Sequence, residues 1–355
     1  MSVKLSHSAI SRYRMCGASY KNHYISKIRP DHTTGALLFG DALDKALNCL
    51  LLNEGDAYER FIQAFTYGQI NKQDVYIPTC PKIVYANSDY DSDLLNEENY
   101  KKASEIVAGA EGFTFEQIKD KKDSYGFEGL KEVEKSYYNY ILWQCLCVKA
   151  ELILDGYKKK ILPKIKKVLA IQEKIEVDDG EGNFLTGFID LVADVEGHGV
   201  CILDNKTSAR DYELDAVKSS DQLTQYYHLV KEKFGAKKAG FIVAKKQISK
   251  LKECAKCGAN GTGSRAKTCD AEVAGQRCHG EWKKVPFATF QLIIDEINEQ
   301  QENFVMENID EATFAIKAGV FIKNTTSCDN WYGQRCPYFN YCRTGSMKGL
   351  VKNET

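Results

Sequence analysis

Two neighbouring stretches decide the fold of this chain: L-T-G-F-I-D-L-V-A-D-V-E at 185–196 and G-V-C-I-L-D-N-K at 199–206. Both are short and rich in Val, Ile and Leu, a composition that favours strands over surface loops. The tight turn Gly197-His198-Gly199 joins them, so the sequence predicts an antiparallel hairpin.

The hairpin carries charged residues where a strand would ordinarily be apolar. Asp190 lies inside the first strand, where an unpaired carboxylate is costly to bury. Asp204 and Lys206 are two residues apart and must point to one face of the second strand. Pairing across the hairpin can bring Asp190 to them. Two carboxylates and a lysine suit hydrolysis assisted by Mg²⁺ or Mn²⁺, although a buried Asp–Lys ion pair without chemistry remains an alternative.

The following helix adds two polar side chains on one face. Gln222 and Tyr226 are four residues apart in S-S-D-Q-L-T-Q-Y-Y-H-L-V, a spacing that places them side by side on a helix. An amide and a phenol in this arrangement can hydrogen-bond a DNA phosphate or a water molecule bound to a metal ion.

The segments G-F-I-D (187–190), I-L-D-N-K-T-S (202–208) and S-D-Q-L-T-Q-Y (220–226) together resemble the PD-(D/E)XK nuclease superfamily. More narrowly, they resemble its RecB-like exonuclease branch, which is frequent in phage recombination proteins and CRISPR-associated nucleases. The resemblance implies a restriction-endonuclease-like core and the following roles: metal ligands at Asp190, Asp204 and the main-chain carbonyl of Asn205, the catalytic lysine at Lys206, and a Q-x-x-x-Y motif at Gln222 and Tyr226.

An upstream helix extends the resemblance. F-G-D-A-L-D-K-A-L (39–47) is similar to the family's G-x-x-x-H helix, with Asp44 in place of the usual histidine. An aspartate can also bind a hard cation, which makes Asp44 a candidate third side-chain ligand. The replacement could instead indicate a different metal preference or weaker binding.

Four of the thirteen cysteines are clustered in a glycine-rich segment of about thirty residues. Cys254-x2-Cys257, followed by Cys269 and Cys278, has the spacing of a structural Zn²⁺ site, and a segment this short has little core of its own. His279 could substitute for Cys278. Free cysteines in a loop are the simpler alternative.

Three further cysteines, Cys328, Cys336 and Cys342, lie near the C-terminus and need a fourth ligand. The resemblance to the RecB-like branch implies that Cys16 completes a structural 4Fe-4S cluster that joins the two ends of the chain. The x7 gap after Cys328 is longer than is common in that family. A zinc ion held by these four cysteines, or no metal, is the alternative.

The order of elements predicts an α/β (α+β) fold, with a central mixed sheet flanked by helices and with helical and zinc-knuckle insertions. A helix is also expected at about 288–307. The expected regions are N-terminal helices at 1–55, a helical insertion at 56–163, the nuclease core at 164–250, a zinc-binding insertion at 251–284, and a C-terminal helix with the cysteine tail at 285–355.

Composition narrows the functional classes. The formal net charge is −1, no run of eighteen apolar residues is present, and the N-terminus lacks a secretory apolar region, so we expect a cytoplasmic protein (in the host cytoplasm if phage-encoded). No P-loop motif occurs, so a helicase or recombination partner would be a separate protein.

The leading hypothesis is a Mg²⁺- or Mn²⁺-dependent DNA exonuclease in recombination, repair or phage replication. A catalytically weak DNA-end-binding protein and a zinc-ribbon regulatory protein are the alternatives.

Overall fold

The computed structural model describes residues 4–65, 82–178, 182–261, 264–331 and 334–352. The α-helices are α1 (His7–Met15), α2 (Gly17–Tyr20), α3 (Gly35–Leu52), α4 (Ala57–Ala64), α5 (Glu97–Ile106), α6 (Phe115–Tyr125), α7 (Glu132–Lys160), α8 (Asp221–Phe234), α9 (Glu299–Lys317) and α10 (Phe339–Thr344). The strands are β1 (Lys4–Ser6), β2 (Ile28–Pro30), β3 (His32–Thr34), β4 (Lys82–Val84), β5 (Ile165–Asp178), β6 (Phe184–Val195), β7 (Gly199–Ser208), β8 (Lys238–Lys245), β9 (Ser249–Cys254), β10 (Glu272–Val273), β11 (Gln276–Arg277), β12 (Trp282–Phe287), β13 (Phe290–Glu296) and β14 (Leu350–Lys352).

A six-stranded mixed sheet forms the centre of the molecule. β6 and β7 pair as the expected antiparallel hairpin, and β5 runs antiparallel along the other edge of β6. β7 then continues through α8 to the parallel strand β8, and β13 pairs antiparallel with β8. The sheet therefore takes strands from outside the 164–250 region, since β1 and β13 both belong to it. The predicted mixed sheet flanked by helices is confirmed.

One sequence-based expectation is wrong. The helix expected at about 288–307 is a strand, β13, followed by the helix α9. The stretch F-Q-L-I-I-D-E is a short apolar run, and periodicity alone does not separate a buried strand from the start of a buried helix. The exposed edge of β8 decides the matter, because β13 satisfies its hydrogen bonds over seven residue pairs.

Helices cover both faces of the sheet. α3 and α7 pack on one face over the largest apolar cluster, which includes the buried residues Leu43, Ile153 and Leu203. α8 packs on the opposite face through Leu223 and Val230. The region expected to be a helical insertion contains α4, α5, α6 and α7 among its described residues, whereas 66–81 lies outside them. No helix in the described part of the chain is long and apolar enough to cross a membrane.

Candidate active site

The site begins where β6 changes its pairing partner. On one edge, Phe184–Thr186 pairs with β1 and Leu191–Val195 pairs with β7. Between these two segments the edge of β6 is not part of either ladder, and Asp190 lies in this interval. Neither partner strand pairs with β6 at 187–190, so the candidate site occupies a gap in the pairing of an otherwise apolar sheet.

Asp204 and Lys206 form the inner part of the site, as their two-residue spacing predicts. Lys206 Nζ lies 2.6 Å from Asp204 Oδ2, and Asp204 is 2% exposed. Gln222 of α8 connects to both, because its Oε1 accepts a hydrogen bond from Lys206 Nζ (3.3 Å) and its Nε2 donates to Asp204 Oδ1 (3.3 Å). The same Nε2 lies 3.2 Å from the hydroxyl of Tyr226. The Q-x-x-x-Y pair is therefore in direct contact with the D-x-K pair.

Local sequence accounts for the placement of α8. The Ser220 hydroxyl caps the helix by accepting a hydrogen bond from the Leu223 N–H, which fixes the first turn that carries Gln222. Tyr226 follows one turn later and is 7% exposed. Gly187 permits its approach to β6: a Cβ at this position would lie 2.8 Å from Tyr226 Cε1. The glycine of G-F-I-D is therefore required by the close packing of the tyrosine ring.

Burial dominates the electrostatics of the inner pair. It raises the pKa of Asp204, and the positive charge of Lys206 counteracts part of that rise. Burial by itself would lower the pKa of Lys206, but the adjacent Asp204 carboxylate raises it above the ordinary value. The lysine therefore remains charged at neutral pH, which keeps a cation next to the two aspartates.

Asp44 approaches from the opposite side, on α3. Thr34 caps this helix through a hydrogen bond from the Leu37 N–H, and Asp44 follows two turns into it. Burial, reinforced by the charge of Asp190, raises the pKa of Asp44 to about 7. Asp44, Asp190, Asn205 and Lys206 line one cleft of about 410 Å³. The structure thus brings together all six side chains that the motifs singled out.

Two further side chains reach the cleft that the motifs did not indicate. Gln172 of β5 donates from Nε2 to Asp44 Oδ2 (2.7 Å) and lies 3.5 Å from Asp190 Oδ1. Tyr157 of α7 lines the cleft, and burial together with the charges of Asp44 and Asp190 raises its pKa. Neither residue belongs to a motif, and nothing in the local sequence distinguishes them from ordinary strand and helix residues.

The family model of the PD-(D/E)XK nuclease superfamily matches residues 128–343, which is more than half of the chain. The chain belongs to the PD-(D/E)XK nuclease superfamily. The matched range contains Asp190, Asp204, Lys206, Gln222 and Tyr226. Asp44 and Cys16 lie upstream of it, so their roles are not covered by the match.

Two other comparisons add little to this assignment. No curated protein matches the sequence. Among solved structures, one similar chain is described as a "putative exonuclease" from Eubacterium rectale. The two chains are 13% identical, and the match covers 72% of this chain and 83% of that chain with a TM-score of 0.30. A TM-score this low does not establish a shared fold, so the family assignment depends on the sequence match.

The cleft of this PD-(D/E)XK protein has the donor chemistry that a divalent cation requires. Asp44, Asp190 and Asp204 offer hard oxygen ligands, the type preferred by Mg²⁺ and Mn²⁺. Asp44 Oδ1 is buried and lacks a hydrogen-bond partner of normal geometry among the described residues. Asn205 donates its backbone N–H to Asp190 Oδ2 (3.0 Å), and its own side-chain amide is buried without a partner among those residues. Buried, incompletely satisfied oxygens of this kind fit a bound cation.

A second candidate metal site lies at the end of the β9–β12 ribbon. Its four cysteines have sulphur atoms that all lie within 4.8 Å of one another: Cys254, Cys257, Cys269 and Cys278. Cys254 and Cys278 are 3.5 Å apart and Cys257 and Cys269 are 3.7 Å apart. Two sulphurs on a tetrahedral zinc with Zn–S bonds of about 2.3 Å would be about 3.8 Å apart. The group therefore fits one Zn²⁺, and it includes Cys278, whereas His279 is exposed.

Four other cysteines, those expected to hold the terminal cluster, lie where the two ends of the chain pack together. Cys16, Cys328, Cys336 and Cys342 line a cavity of about 150 Å³. Among the described residues they do not form a group with all sulphurs within 4.8 Å, unlike the zinc-type group. β14 pairs with β2, and Asn324 and Ser327 both donate to the Met15 carbonyl, which fixes the two ends around the cavity. A wider thiol arrangement around a cavity fits a multi-atom cluster better than a single ion.

Proposed function

We propose that this protein is a deoxyribonuclease that depends on Mg²⁺ or Mn²⁺ and acts on DNA ends. The observation that carries the proposal is the convergence of Asp44, Asp190, Asp204 and Lys206 at the gap between β1 and β7. Family membership supports the nuclease activity. The metal dependence, the preference for DNA and the exonuclease mode extend beyond that membership.

In this proposal, the three aspartates bind the cation, which would supply Lewis-acid stabilisation of negative charge on the scissile phosphate. Lys206 places a positive charge beside the same phosphate and orients the attacking water. Gln222 holds the ammonium group through its Oε1, which limits the positions that Lys206 can adopt. Tyr226 in turn fixes the Gln222 amide. These residues act in the transition state, so their loss should reduce turnover more than DNA binding.

The direct test is incubation with end-labelled linear DNA and with covalently closed circular DNA, with Mn²⁺ and with a chelator. We expect release of short products from linear DNA only, and only with Mn²⁺. Cleavage of the circle would show an endonuclease and contradict the exonuclease part of the proposal. Cleavage in the chelator would contradict the metal dependence.

A matched pair of variants ties this activity to the site. Asp204→Asn removes one candidate ligand but keeps the side-chain size, and we expect kcat to fall by about 10²- to 10³-fold, the loss typical of removing one electrostatic contact to the transition state. Asp194→Asn changes a carboxylate at the other end of the same hairpin, opposite Val200, and should cut as the wild type does. Wild-type activity in Asp204→Asn would place the catalytic centre elsewhere.

A DNA-end-binding protein with little activity is the second candidate function. The observation that favours it is Asp44 in the position where the family has histidine. Its pKa is raised to about 7, so protons compete with a cation for this carboxylate near neutral pH. In that case the wild type would bind linear DNA but fail to cut it, and Asp44→His should create activity. An active wild type excludes this alternative.

We further propose that Cys254, Cys257, Cys269 and Cys278 bind a structural zinc ion, and that the terminal cysteines bind a 4Fe-4S cluster. The sulphur spacing supports the first, and the cavity between the chain ends supports the second. In the described part of the chain, none of these cysteines lines the cleft, so both groups are assigned a structural role. A role in recombination, repair or phage replication, with a separate helicase or recombination protein, is the biological setting that we propose.

A further inference from the structure

Gln172 has an unusual backbone conformation for a residue inside a strand. Its φ angle is +49°, in the left-handed region that side chains other than glycine rarely adopt. The β5–β6 register places it directly opposite Asp190, yet the ladder pairs only its neighbours, Ile171 with Leu191 and Glu173 with Ile189. Residues held in such conformations are concentrated at functional sites, where the surrounding structure imposes them.

The side chain of Gln172 uses this conformation to join two elements. Its Nε2 donates to Asp44 Oδ2 on α3 (2.7 Å) and lies at 3.5 Å from Asp190 Oδ1 on β6. Asp190 Oδ2 already accepts a hydrogen bond from the Asn205 N–H, so each oxygen of Asp190 has one donor that fixes its orientation. On Asp44, the contact leaves Oδ1 as the oxygen without a hydrogen-bond partner of normal geometry among the described residues, although the Asn48 side chain is close enough to lower the pKa of the carboxyl group. The amide therefore selects which carboxylate oxygens remain available.

We propose that Gln172 is a positioning residue of the metal site, which holds the carboxylates of Asp44 and Asp190 at the separation that the cation requires. The inference rests on the proposed function and deepens it. Without the amide, the half-buried carboxylates of Asp44 and Asp190 would lose the one donor that joins them among the described residues, and their charges would repel each other. A glutamine suits this position because its amide donates hydrogen bonds without adding charge. Outer partners of this kind typically change metal affinity by about 10- to 100-fold.

The test separates the side chain from the backbone. Gln172→Gly removes the amide and at the same time suits the positive φ, so the substitution adds no backbone strain. If the hydrogen bonds of Gln172 served only to stabilise the fold, the variant would lose stability while the folded protein kept its Mn²⁺ affinity. We expect the Mn²⁺ dissociation constant of the full-length protein, measured by calorimetry without DNA, to rise at least tenfold. The melting temperature in chelator should change little, because the relief of backbone strain at φ +49° opposes the loss of the hydrogen bond to Asp44. Cleavage should recover towards the wild-type kcat at saturating Mn²⁺, because the ligands themselves remain.

The control is Ala274→Gly, which makes the same kind of change at φ +52° in the β10–β11 hairpin, far from the cleft in sequence. Its Mn²⁺ affinity should match the wild type. If Gln172→Gly is less folded, Gln172→Asn replaces it, because asparagine tolerates a left-handed backbone and keeps an amide on a shorter side chain. Its Mn²⁺ dissociation constant should rise by less than tenfold but by more than twofold.

The outcomes distinguish this inference from the proposed function. A Gln172→Gly protein that binds Mn²⁺ within twofold of the wild type overturns the positioning role while leaving the nuclease intact. A wild type that neither binds Mn²⁺ nor cuts DNA overturns the proposed function itself. A recovery of kcat at high Mn²⁺ supports positioning, whereas a loss of kcat that no Mn²⁺ concentration restores contradicts it.

Discussion

Replacement of Gly187 by alanine tests how the sheet and α8 form the site. The new Cβ would lie 2.8 Å from Tyr226 Cε1, 3.5 Å from Cδ1 and 3.6 Å from Cζ. Carbon atoms in contact are ordinarily about 3.5–4.0 Å apart, so the ring must move by about 0.7 Å or more. Overpacking of this kind typically costs about 1–3 kcal/mol. We expect the free energy of unfolding, measured with urea, to fall by that amount.

The displacement of the Tyr226 ring should also lower the rate of cleavage. The Tyr226 hydroxyl contacts Gln222, which contacts Asp204, so a shift of the ring changes the position of both. A misplacement of about 1 Å can reduce turnover by about 10²-fold, and we expect Gly187→Ala to lower kcat by about ten- to a hundredfold. Unchanged stability and unchanged kcat would refute the close approach of the ring.

Two controls identify the clash as the cause. In a Tyr226→Leu background the ring is absent, so Gly187→Ala should cost little further stability, and the two substitutions should be non-additive. Gly40→Ala in α3 introduces a Cβ with no atom within 4 Å, and should stabilise the helix by about 0.5–1 kcal/mol. An additive double mutant would mean that alanine at 187 acts through some other contact.

Three further predictions concern Asp44 and the cysteines. Burial raises the pKa of Asp44 to about 7 and also raises the pKa of Asp204, so the metal-free protein should lose stability as the pH rises from about 4 to about 7. In urea unfolding, Asp44→Asn should make that loss smaller and leave the part due to Asp204; an unchanged profile contradicts the assignment. Cys254→Ser should reduce zinc from about one per chain to near zero by elemental analysis, whereas Cys49→Ser should retain it. Protein purified without oxygen should be brown with about four irons per chain, and Cys16→Ser should lose both; a brown Cys16→Ser protein would mean that the fourth ligand lies elsewhere.

Much of the fold and of the site could be predicted from the sequence because the relevant signals are local. The two-residue spacing of Asp204 and Lys206 fixes a shared strand face, and the four-residue spacing of Gln222 and Tyr226 fixes a shared helix face. A short turn between two apolar stretches leaves only a hairpin as a simple connection. The spacing from Cys254 to Cys278 likewise predicts a compact thiol group, which the sulphur distances fit.

Only the tertiary structure decided the features that depend on distant partners. The segment Phe290–Glu296 forms a strand because the edge of β8 needs a pairing partner. The apolar sequence of the segment does not by itself reveal this partner. Gln172 contacts the cleft residue Asp44 through a hydrogen bond that spans 128 positions of the sequence. Periodicity reports which face of an element is apolar, but the element that covers that face is chosen by packing over the whole chain. The sequence therefore determined the candidate ligands and their local spacing, and long-range packing determined which other side chains contact them.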